Sequence, residues 1–216
     1  VDSGAGASAA TKMSHNSKSV RHIRRKSMRN SLLLIALCCT CSVAMAQQPA
    51  RRPSSKDAAA VARGHYLVTV GGCNDCHSPK IMTPQGPVVD TTRLLSGHPA
   101  NERLPPLPAG VLAPGNWGAV TTSDETAWVG AWGTSFAANL TPDPTGLGNW
   151  TVQMFINSMR NGKYMGISRP ILPPMPWAYY GQMSNRDLEA IFAYLRSLRP
   201  ISNLVPEALP PAGERR

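Results

Sequence analysis

Cysteine is scarce in this chain. Three of the five, Cys38, Cys39 and Cys41, crowd one apolar stretch near the N-terminus, and only Cys73 and Cys76 lie elsewhere. If that stretch is cleaved away, no disulfide framework can form, even in a compartment that permits one. Beyond residue 46 there is no second Cys/His pair at ligand spacing, which a closed zinc site would need. There is no internal repeat and no visible catalytic constellation. Acidic residues are also few, 12 against 22 Lys and Arg. The basic excess is uneven. Residues 1–46 hold 7 of the basic residues and 1 of the acidic ones, which leaves 15 against 11. Of those 15, Arg51, Arg52, Arg215 and Arg216 sit in the tails. The body between them is balanced, so nucleic-acid binding has no support.

The N-terminal region reads as a targeting segment. Arg21, Arg24, Arg25, Lys26 and Arg29 precede an apolar run over 31–43, and Ala44-Met45-Ala46 forms an A-x-A cleavage signal. The run is too short for a stable membrane span. Residues 1–46 are therefore expected to be a signal peptide with an upstream extension, and the mature protein to be periplasmic. A lipoprotein signal acylated at Cys38, Cys39 or Cys41 is the alternative, and a lipid anchor or a partner is then the route to a membrane. The preceding residues, Leu37, Cys38 and Thr40, suit that processing poorly.

Against this sparse background one stretch stands out, Gly71-Gly-Cys-Asn-Asp-Cys-His77. Cys-x-x-Cys-His is the spacing of c-type haem attachment. Cys73 and Cys76 would each bond a haem vinyl group, and His77 would deliver an imidazole to the iron. A zinc half-site and a thioredoxin-like redox pair are the competing readings. The first lacks its second half. The second wants a following helix, and Ser78-Pro79 argues against one.

Residues 47–54 read as a flexible lead-in. A helix is expected from Ser55-Lys56, with Ala58, Val61, Ala62, Tyr66, Leu67 and Val70 at helical spacing and Gly71-Gly72 as its stop. Residues 78–148 are rich in Pro and Gly and show no helical period, so a long insert loop is expected there, wrapped on a rigid cofactor. Within it, residues 121–138 could hold short extended pieces. Further helices are expected over 151–161, ended by Gly162, and over 184–198, ended by Pro200. Residues 207–216 read as a tail.

The second face of the iron needs a ligand of its own for simple electron carriage, and methionine supplies a soft one that favours the ferrous state. Met175 lies between Pro174 and Pro176, on a segment too stiff to wander. Met183 is the runner-up, and His98 and His65 are the bis-histidine alternatives.

Taken together, the chain resembles class I c-type cytochromes, and especially bacterial periplasmic monohaem cytochromes c similar to cytochrome subunits of membrane dehydrogenases such as those for alcohols and gluconate. The resemblance spans about 56–206. It is carried by residues 62–68, 72–77, 139–143 with Gly146 and Trp150, 175–177, and 187–198. It implies an all-α domain over 55–206, with helices packed around one covalent haem c and Gly64 meeting Tyr194 where the terminal helices cross. It also implies His77/Met175 axial ligation and one-electron transfer between redox partner proteins, a dehydrogenase or oxidase. The competing function is a haem enzyme with a displaceable sixth ligand, doing peroxidase or small-gas chemistry. The chain departs from small soluble carriers in the 98 positions that separate His77 from Met175.

Overall fold

The computed structural model describes residues 55–211. The expected signal peptide, the 47–54 lead-in and the end of the tail, 212–216, lie outside the described residues. Five α-helices are described: α1 Ser55–Val70, α2 Cys73–His77, α3 Val152–Asn161, α4 Trp177–Tyr180 and α5 Asn185–Ser197. None is long and apolar enough to cross a membrane.

The long helices begin and end where local chemistry requires. Thr151 caps α3 by accepting from the Met154 N–H, and Gly162 closes it in the left-handed region at φ 63°. Ser184 caps α5 by accepting from the Asp187 N–H. Their apolar stripes meet α1 in one core, formed by Leu67 and Val68, Phe155, Ile156 and Met159, and Leu188, Ile191, Phe192 and Leu195. Phe155 and Phe192 pack at 5.5 Å between ring centroids. Leu95, from the insert, is fully buried in the same core.

Between α2 and α3 the expected all-α architecture fails. Residues 78–148 contain two antiparallel sheets. Strands β1 Lys80–Thr83 and β2 Gly86–Val89 form a hairpin, and β3 Ala119–Thr121, β4 Ala127–Gly130 and β5 Gly133–Phe136 form a three-stranded meander. The fold is thus helical with two small sheets. Strands of three or four residues are too short to display alternation, while the Pro and Gly that bound them dominate the composition. The hairpin turn Thr83-Pro-Gln-Gly86 is one such case, with Gly86 at φ 114°. The outer edge of β5 is partly covered by the C-terminal segment, where Thr134 and Leu209 exchange backbone hydrogen bonds of 2.8 and 2.9 Å.

Candidate haem site

The site begins where α1 stops. Gly72 takes φ 67°, which turns the chain sharply into the five-residue helix α2. Cys73 and Cys76 stand three residues apart on that single turn, half-buried and unbonded to each other. Burial pushes the Cys73 thiol up to about 11, against a partial lowering by its own backbone hydrogen bond. Burial raises Cys76 too, as does Glu125, with Lys80 opposing. Both thiols are therefore held protonated, unlike the low-pKa thiols of redox-reactive cysteines.

His77 Nδ1 lies 2.7 Å from the Ala138 carbonyl oxygen. A carbonyl only accepts, so Nδ1 donates the proton and Nε2 keeps its lone pair. Burial lowers the His77 pKa more than the carbonyl raises it, so the ring is neutral. A neutral imidazole with a fixed tautomer can act as a ligand through Nε2.

The turn is locked from several sides. The Gly97 N–H donates to the His77 carbonyl at 2.8 Å. Buried Ser78 donates to Asn74 Oδ1 at 3.0 Å and accepts from the Leu95 N–H at 2.8 Å. Lys80, with a side chain only 8% exposed, donates to the Asp75 carbonyl, to the Asp124 carbonyl at 2.7 Å and to Glu125 Oε2 at 2.9 Å. Tyr180 Oη donates to the Gly71 carbonyl at 2.5 Å, which ties α4 to the same turn. Sequence reasoning offers Tyr180 only as a wall on the methionine side or as core, and does not single out Ala138, Lys80 or Glu125. Their bonds to the motif and to one another span 5 to 109 positions, and no local pattern marks such partners.

Met175 is half-buried and packs on the central core together with Cys73, Tyr180 and Met183. The two histidine alternatives each make a contact of their own. His65 stacks on Tyr194 at 5.0 Å, and buried His98 bonds Thr126 Oγ1 through Nδ1 at 2.8 Å.

No family model matches the chain. It is similar to a nicotinate dehydrogenase component of Pseudomonas putida, 28% identical over 153 residues, or 70% of this chain and 10% of the relative. It is similar to the fructose dehydrogenase cytochrome subunit of Gluconobacter japonicus, 23% identical over 158 residues, 72% of this chain and 25% of the relative. The gluconate 2-dehydrogenase cytochrome c subunit of Pantoea cypripedii is 27% identical over 146 residues, 67% of this chain and 24% of the relative. The chain thus spans between a tenth and a quarter of the length of these relatives. These similarities support a cytochrome c-like protein.

Proposed function

We propose that this chain is a periplasmic one-electron carrier with one haem c, joined through thioethers to Cys73 and Cys76 and held axially by His77 and Met175. A bound haem would cycle between ferric and ferrous iron with both protein ligands retained. The observation that carries the reading is the His77 arrangement. Its Nδ1–H is spent on the Ala138 carbonyl, and its Nε2 lone pair is free one residue after a turn that presents two protonated thiols. The raised thiol pKa values do not favour thiol-redox chemistry.

The rest of the chain serves positioning. Tyr180 holds the Gly71 carbonyl before Cys73, Lys80 the Asp75 carbonyl between the cysteines, and Ser78 the Asn74 side chain. Met175 has a stiff proline-flanked backbone and a side chain on the core that carries Cys73, which suits a weak ligand that must stay in place. The relatives' names, dehydrogenase cytochrome subunits, favour a dehydrogenase as electron donor. A respiratory chain would then be the acceptor. The same names favour a carrier over a catalytic haem. Export rests on the targeting pattern of residues 1–46.

The axial assignment is tested by optical spectra. Reduced protein is expected to give sharp c-type bands, and oxidised protein the weak thioether-to-iron band at the red end. Met175→Ala should abolish that weak band while Met183→Ala keeps it. Persistence of the band in Met175→Ala would sink the assignment.

A further inference from the structure

The insert carries a second constellation that the haem reading does not use. We propose that His98, Glu102 and Asp124 form a binding site for a divalent transition ion of the zinc type. A ring nitrogen of His98 and one carboxylate oxygen each from Glu102 and Asp124 lie within 4.8 Å of one another.

The hydrogen bonds around these residues decide which atoms are on offer. Thr126 Oγ1 donates to Asp124 Oδ2 at 2.7 Å. Its single proton is then spent, so towards His98 Nδ1, 2.8 Å away, it accepts. His98 therefore carries its proton on Nδ1, and Nε2 holds a bare lone pair. That atom is buried without a partner, the one such side-chain atom among the described residues, and His98 itself is 0% exposed. An orphaned buried acceptor is costly, on the order of 1–3 kcal/mol. A metal bond would satisfy it.

Thr126 orients two of the three ligands at once. This is the outer-shell arrangement that fixes tautomer and carboxylate position in metal sites. Asp124 is further fixed by Thr122, whose hydroxyl donates to Oδ1 at 2.7 Å. Burial pushes the Asp124 carboxyl up, but these hydrogen bonds outweigh it and hold the group ionised. Burial lowers His98, which keeps the ring neutral. Burial, followed by the charge of Asp124, raises the pKa of Glu102.

Arg93 acts on Glu102 through its charge, but the ion pairs of the nearby cations are made elsewhere. Lys80 and Arg93 line the cleft of about 200 Å³ that Glu102 and Asp124 share. Lys80 is taken by Glu125 and two carbonyls, and Arg93 by Asp90 at 2.7 Å. Glu102 and Asp124 thus have no ion pair of their own among the described residues, and a dication would suit them beside the imidazole.

The donor set selects the ion class. One nitrogen and two oxygens are too few for calcium, which takes about 6–8 oxygens, whereas zinc takes three protein ligands plus water. Bonds of about 2.0–2.2 Å place tetrahedral ligands roughly 3.4 Å apart. The site must close by at most about 1.4 Å to reach that spacing, a movement open to exposed Glu102 but not to buried His98. Closure would staple the 97–102 segment to the turn between β3 and β4. That segment also braces the carbonyl of His77 through the Gly97 N–H.

The test uses tag-free, haem-loaded full-length protein, stripped with a chelator, equilibrated with zinc chloride and desalted. Zinc per chain is read by mass spectrometry of the elements, and haem separately by absorbance. Wild type should retain one more zinc per chain than Glu102→Gln, and in a zinc titration Glu102→Gln should bind at least about tenfold more weakly. Thr126→Val should also weaken binding. Equal zinc retention by wild type and both variants overturns the site. The inference is independent of haem attachment, since the zinc difference is read on chains whose haem content is measured apart.

Discussion

Asp90 shows how much of the insert's order rests on single side chains. It precedes the 3₁₀ turn Thr91–Arg93, accepts from the Thr92 N–H at 2.9 Å and hydroxyl at 2.6 Å, and pairs with Arg93 at 2.7 Å. The Thr92 and Arg93 hydrogen bonds pull its carboxyl down to about 2 from 3.8. A depressed carboxylate contributes stability that is present above its unfolded pKa and is lost as pH falls through its folded one. Asp90→Ala should therefore cost on the order of 1 kcal/mol at neutral pH, the usual cost of losing such a cap. In acid titrations followed by circular dichroism, the gap between variant and wild type should shrink between pH 3.8 and about 2. A gap that does not change over that window contradicts the assignment. At this scale the sequence was partly legible. Cys73, Cys76 and His77 can be proposed from sequence alone, because the motif is read from local spacing. Ala138 and Lys80 do not, because a backbone carbonyl and a buried ammonium gain their roles only when distant segments meet.

Helices fare better than strands. The three long helices fall within a residue or two of expectation, because caps and apolar stripes repeat over 10 to 16 residues. The two sheets had no such length over which to announce themselves, and their pairing is set by turns and by the core they cover. The crossing of α1 on α5 is the tightest element contact. A Cβ placed on Gly64 would lie 1.9 Å from the Ala190 carbonyl oxygen and 2.7 Å from Tyr194 Cβ. The obstacle is backbone, which cannot rotate away. Gly64→Ala should cost at least about 3 kcal/mol, the upper end for overpacking, in urea unfolding of haem-loaded protein. Gly118→Ala is the control, because nothing lies within 4 Å of its added Cβ. It should change stability by less than about 1 kcal/mol. Equal effects at the two positions would mean that the helices do not cross as described.

At the scale of the molecule, the insert and the C-terminal segment make one frame around the Cys73–His77 turn. Asn203 donates to the Ser96 and His98 carbonyls at 2.7 and 2.9 Å and accepts from the Ala100 N–H at 3.0 Å. Leu209 pairs with Thr134 on β5. The same insert supplies Ala138 to His77 and Asp124 and Glu125 to Lys80. A long loop rich in Pro and Gly was therefore a fair reading of its composition but not of its work. Its order comes from contacts to distant residues, which no window of sequence contains. The account as a whole stands on covalent haem at Cys73 and Cys76. The direct measurement is the intact mass of the purified protein after denaturation. One haem should remain attached to wild type, and none to the Cys73→Ala/Cys76→Ala double variant. A wild-type mass equal to the bare polypeptide, with haem or metal released on denaturation, would contradict it.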